Sequence, residues 1–91
     1  MTERAYPFRT DNVLMTGDWV PYVIPNEANF IQFKLRTSAA MKWTTHTDGT
    51  NRVTLPKDQA QAIGSFNTDN QTIYFKAAAG TVVEIAVVNM P

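Results

Sequence analysis

The chain has no cysteine, one histidine and three leucines in 91 residues. It also has no surplus of either charge, since eight Lys and Arg balance eight Asp and Glu. Each shortage excludes something. Without cysteine there are no disulfides, no thiolate nucleophile and no Cys-ligated zinc. A neutral chain lacks the basic surplus that neutralises phosphates, so nucleic acid is not an expected partner. No apolar run approaches the roughly 20 residues of a membrane helix. No apolar stretch follows Arg4, so no Sec-type leader is expected either. A single histidine gives a general base few partners.

What remains is rich in strand-forming residues. Twelve Thr, eight Val, five Ile and ten aromatics make 35 of the 91 residues, the types that suit a pleated, half-buried surface. Turn signals recur every eight to twelve residues, the rhythm of an all-β sandwich or barrel. The expected fold is therefore a small antiparallel β-sandwich, possibly jelly-roll-like, with seven or eight short strands. It forms one domain over 12–91, preceded by an extended N-terminal arm over 1–11. A domain this small buries only about 60–65% of its unfolded surface. Oligomerisation is one remedy for so thin a core.

Individual segments follow from local chemistry. Asn12 to Thr16 reads as a strand ending at Gly17-Asp18. Trp19 to Ile24 reads as another, confined to a sheet edge or bulge because Pro21 has no ladder donor. Ile31, Phe33 and Leu35 alternate with Gln32, Lys34 and Arg36, which places the first set inward. Met41, Trp43 and Thr45 share a face in the next strand and are expected to point to the core. Asp48-Gly49 suggests a type I′ hairpin, with Arg52 to Leu55 as the return strand. Pro56 to Gly64 fits either a short helix or a loop running into a strand. Thr72 to Lys76 and Val82 to Val88 read as a hairpin of two long strands closed at Gly80, with Ile73, Phe75, Val83, Ile85 and Val87 on the inner face.

The chemistry-bearing residues are sparse. His46 and Asp48 share a face in an extended segment and form either half a dyad or a polar pair beside a turn. Asn67-Thr68-Asp69-Asn70 offers oxygens to a cation, yet Asn and Asp side chains at turns usually bond their own backbone. Neither carries a catalytic or metal assignment. No cofactor is expected, and the chain is not expected to be an enzyme. The aromatics are more suggestive. Tyr6 and Phe8, with Arg9, lie in an arm that cannot build its own core. Trp19 and Tyr22 flank the strand-breaking Pro21. These five residues are the candidate partner-binding set. Trp19, Tyr22 and Trp43 are alternatively a platform for stacking sugar rings.

A longer pattern runs from Val53-Thr54-Leu55-Pro56 through Ala62-Ile63-Gly64 and Thr72-Ile73-Tyr74-Phe75-Lys76-Ala77 to Gly80-Thr81-Val82-Val83-Glu84-Ile85. It covers about 40% of the chain. It resembles small β-sandwich capsid decoration (cement) and virion accessory proteins of tailed bacteriophages. The resemblance implies a structural virion protein, made in the host cytoplasm and placed on the capsid surface. There it would bridge subunits of the major capsid protein, as a homo-oligomer with a trimer favoured. By architectural analogy, the arm would grip the capsid. The alternative function is a carbohydrate-binding module of a tail or receptor-binding apparatus.

Overall fold

The computed structural model describes residues 7–25, 28–64 and 71–88. Among them are eight strands: β1 (Pro7–Leu14), β2 (Val20–Val23), β3 (Phe30–Leu35), β4 (Met41–Thr44), β5 (Val53–Leu55), β6 (Ala60–Gly64), β7 (Thr72–Lys76) and β8 (Val82–Val88). They form two four-stranded antiparallel sheets, ordered β1-β8-β3-β6 and β2-β7-β4-β5. The chain is an all-β sandwich, and this strand order is that of an eight-stranded jelly roll.

The core follows the period-two patterning of the strands. In β3 the alternation is complete: Ile31, Phe33 and Leu35 are buried, while Gln32 and Lys34 are exposed. β7 contributes Ile73 and Phe75 from the opposite sheet, and β8 contributes Val83, Ile85 and Val87. Phe33 and Phe75 meet across the two sheets with ring centroids 4.9 Å apart and planes at 63°. That is the edge-to-face geometry aromatic quadrupoles favour. Met15 and Ile24, each just beyond the end of a strand, are buried as well.

Several local expectations are revised. The Thr72–Lys76 and Val82–Val88 strands exist, but they are not a hairpin. β7 pairs with β2 and β4, whereas β8 pairs with β1 and β3. Each is an interior strand needing a neighbour on both sides, so the two lie in different sheets and face each other across the core. The segment between them crosses from sheet to sheet. Gly80 takes the positive φ of 89° expected of it, and its N–H donates to the Met15 carbonyl at 2.9 Å.

Residues 7–11, expected to belong to an extended arm, are part of a strand. β1 starts at Pro7, and Arg9, Thr10 and Asp11 stand opposite Val87, Ala86 and Ile85. β8 would otherwise expose an unpaired edge, and residues 7–11 cover it. The register is irregular between Pro7 and Arg9, beside a proline that lacks the ladder N–H. Residues 1–6 lie outside the described residues.

Asp48-Gly49 is not a type I′ turn. Positive φ occurs at Gly49 (80°) and Asn51 (55°) but not at Asp48. The Gly49 N–H instead closes a turn onto the His46 carbonyl at 3.1 Å. Thr45 lies beyond the end of β4 and is exposed, while Thr44, on the outward parity of the strand opposite Tyr74, is buried. Its burial is tolerated because its hydroxyl donates to the Thr50 carbonyl at 2.6 Å and accepts from the His46 N–H at 3.1 Å, both in the β4–β5 loop. Of the two readings of Pro56 to Gly64, the loop-then-strand one holds, with β6 at its end. Pro21 sits in β2, an edge strand as expected.

Truncating a ring at the centre of this core is the direct test of its importance. Phe75→Ala is expected to lower unfolding stability by about 3–5 kcal/mol. The exposed Thr10→Ala should change it by less than about 0.5 kcal/mol. Urea denaturation followed by tryptophan fluorescence measures both.

Candidate functional site

Two edge strands, β1 of one sheet and β2 of the other, flank one side of the sandwich. A polar cluster ties them together. Along β1, Arg9, Asp11 and Val13 share a face, and Asp11 and Val13 are partly buried. The Tyr22 hydroxyl on β2 donates to Asp11 Oδ2 at 2.6 Å. Arg9 Nε donates to both oxygens of the same carboxylate at 3.0 and 3.2 Å, and Nη2 lies 2.9 Å from Oδ2. The Tyr22 ring packs in the core 6.4 Å from that of Phe75.

The electrostatics follow from this geometry. Burial pushes the Asp11 carboxyl up, but the hydrogen bonds from Arg9 and Tyr22 outweigh it and hold the group below the usual carboxylate range. Burial, reinforced by the Asp11 carboxylate, pushes the Tyr22 phenol well above its ordinary value. The cluster keeps Asp11 ionised and Tyr22 protonated, which suits a latch between sheets.

This corrects the partner-binding role expected of Tyr22. Its ring belongs to the core and its hydroxyl is engaged, so it has no free face to offer. Arg9 remains half-exposed on β1 while holding Asp11. Tyr6 lies outside the described residues. Phe8 lies within β1 by its backbone, and its side chain is outside the described set. Sequence reasoning passed over Asp11. The signal was present, since Arg9 and Asp11 are two apart in an extended segment and therefore share a face.

Trp19 precedes β2 on the outer side of its sheet. The Lys76 ammonium lies 5.6 Å from its ring centroid, within cation–π range. Gly49 packs against the indole so closely that a Cβ there would stand 2.6 Å from Nε1, and its φ of +80° disfavours a side chain as well. Trp19 thus holds the β4–β5 loop against the sheet. Trp43 lies on the opposite face, pointing inward, with its ring 5.7 Å from that of Phe33 in T-shaped contact. Trp19, Tyr22 and Trp43 therefore do not form one platform: one faces outward and two face inward.

His46 and Asp48 interact through space but share no hydrogen bond with each other. His46 Nε2 lies 3.3 Å from Asn51 Nδ2. Asp48 Oδ1 accepts from the Thr50 N–H at 3.1 Å and the Thr50 hydroxyl at 2.8 Å. Those two bonds, the backbone one foremost, lower its pKa. This is turn chemistry. Among the described residues, no group of three or more His, Asp or Glu converges as metal ligands would. Asn67 to Asn70 lie outside the described residues.

The outer face of the β1-β8-β3-β6 sheet is shallowly concave. The hollow is about 400 Å³. The strand register sets Thr10, Ala86 and Gln32 in one row and Asn12, Glu84 and Lys34 in the next. Arg36 closes the hollow through a 2.8 Å ion pair to Glu84. At the end of β1, Leu14 is 62% exposed, the most exposed of the large hydrophobic side chains among the described residues.

No protein-family model, curated protein or solved structure matches the chain.

The latch has a clear signature. Tyr22→Phe keeps the ring and loses the hydrogen bond to a charged group, and should cost about 1–2 kcal/mol at neutral pH. Asp11 has a lower pKa folded than unfolded, so its contribution is present above the unfolded value of about 4. It fades as the pH falls through the folded value. Wild type should therefore lose stability more steeply than Asp11→Asn below about pH 4. Equal slopes in thermal melts across that range would show that the carboxylate is not engaged.

Proposed function

We propose that the chain is a structural virion protein, a decoration subunit that binds the assembled heads of a tailed phage and bridges subunits of the major capsid protein. It has no catalytic step of its own and acts on the capsid surface as a homo-oligomer, with a trimer favoured. The observation that carries this reading is the outer edge of β1. This is the longest strand, it is paired on one side only among the described residues, and it ends in the exposed Leu14. An edge of that length is a template for strand addition by another chain. The jelly-roll sandwich is an architecture shared with viral shell proteins, and the strand pattern of residues 53–85 points the same way. Stabilisation would come by mass action, since a protein that binds only the assembled state favours that state at every site it fills.

A carbohydrate-binding module is the second reading. With the aromatic trio dispersed, it rests on the concave outer sheet face, where Thr10, Asn12 and Gln32 present a hydroxyl and two amides beside small alanines. Binding on a glycan array that is lost in Gln32→Ala would favour it, and a silent array would remove it.

The decoration reading predicts that the purified protein co-sediments with empty phage heads at a fixed ratio to the major capsid protein and raises their melting temperature. Leu14→Lys should weaken that binding at least about tenfold while leaving the free protein's stability within about 0.5 kcal/mol, as expected of a surface change. Failure of the wild-type protein to sediment with heads would overturn the reading.

A further inference from the structure

The outer face of the β2-β7-β4-β5 sheet carries a hollow of about 280 Å³, at the end where β7 stops and β4 begins. None of its lining segments adjoins an undescribed residue. Its charged side chains are Lys42 and Lys76. The register sets these two directly opposite each other on β4 and β7, with Thr54 of β5 on the other side of Lys42. Met41, Leu55 and Phe75 are buried on the inner face, so alternation turns both lysines and Thr54 outward together. Like charges directly opposite on neighbouring strands destabilise a sheet unless something neutralises them. Among the described residues nothing does. No Asp or Glu lines the hollow, and neither ammonium makes an ion pair. Asp18 and Asp58, the carboxylates nearest along the chain to the lining, are engaged elsewhere. Asp18 Oδ1 accepts from the Trp19 N–H at 2.8 Å, and Asp58 Oδ2 accepts from the Ser38 hydroxyl at 3.0 Å. One of the two cations is also held in place, since the Lys76 ammonium sits 5.6 Å from the Trp19 ring centroid. Ordering it in advance lowers the entropy lost when it engages a ligand.

We propose that this hollow binds the phosphate group of a small phosphate monoester, held by the Lys42 and Lys76 ammoniums with the Thr54 hydroxyl as a further donor. Charge selects the ligand. Two facing cations match a group that carries close to two negative charges, as a phosphate monoester does, whereas a carboxylate or a sulfate ester carries one. Lysines act on phosphate as point charges and lack the planar fork that suits a carboxylate. The volume lies just below that of whole small-molecule sites, roughly 300–1,000 Å³. It has room for the phosphate and a few further atoms, which approach past the short side chains of Ala40, Ala77 and Ala78. The site lies on the sheet that does not contain β1, so it stands or falls independently of the shell role.

The test uses a matched pair of probes, methyl phosphate and methyl sulfate. They have nearly the same shape and, in mildly alkaline buffer, differ by one charge. Two-dimensional ¹H–¹⁵N NMR at matched ionic strength follows both titrations. Methyl phosphate should shift the backbone amides of Lys42, Thr54, Lys76 and Ala77 saturably, together with the Trp19 indole N–H, and leave the Trp43 indole N–H in place. Methyl sulfate should bind at least about tenfold more weakly, the value of one charge-assisted hydrogen bond. Lys42→Gln and Lys76→Gln should each weaken methyl phosphate by at least about tenfold and keep the dispersed spectrum of the folded protein. Lys34→Gln, on the outer face of the other sheet, should leave the affinity unchanged. In thermal melts methyl phosphate should raise the melting temperature of the wild type more than that of Lys42→Gln, because only the wild type gains from a ligand of its folded state. The absence of a saturable shift in the wild type would overturn the proposal. Equal affinity for the two probes, or undiminished binding in both lysine variants, would overturn it as well.

Discussion

The edge-to-face contact of Phe33 with Phe75 is where the two sheets become one object. Neither sheet has a core of its own. Each offers a single inward row, and those rows are dry only because they interdigitate. With no cysteine, nothing covalent substitutes for that packing. The loss of one central ring would therefore be felt by all eight strands, since β3 and β7 each join two neighbours within their sheets.

Around that core the two flanks of the sandwich are finished differently. On the β1–β2 flank, Arg9, Asp11 and Tyr22 form a polar latch that joins one sheet to the other. Near the β5–β6 flank there is a hollow instead, lined by isoleucines and a tryptophan whose N–H has no partner among the described residues. The latch secures β1 from its inner side, which leaves the strand's outer edge available for pairing without loosening the domain.

Much of the fold was legible because strand periodicity is a local signal. Ile31, Phe33 and Leu35 could be assigned inward from alternation alone, as could Ile73, Phe75, Val83, Ile85 and Val87. What alternation does not encode is which strand lies beside which. The stretch from Thr72 to Val88 looked like a hairpin because two good strands flank a glycine. The same pattern equally serves a crossover between sheets, and the demand of β7 and β8 for two neighbours each decides it. Residues 7–11 read as an arm because Pro7 and a run of polar residues hide the alternation of Arg9, Asp11 and Val13.

The site was less legible than the fold. Tyr22 drew attention as an aromatic beside a proline, and its actual partner, Asp11, lies in a segment set aside as an arm. Contacts between sheets join positions with no fixed spacing, so the latch has no motif. Trp43 could be placed inward from its alternation with Met41, whereas Trp19, which precedes β2, lies on the outer side of its sheet.

We propose β1 as the surface through which this protein would meet a phage shell. Hydrogen–deuterium exchange of the free and head-bound protein tests it most directly. The account predicts that the backbone amides of residues 7–14 gain protection on binding, while those of β5 and β6 do not change. Protection elsewhere, with β1 exchanging as it does in the free protein, would contradict it.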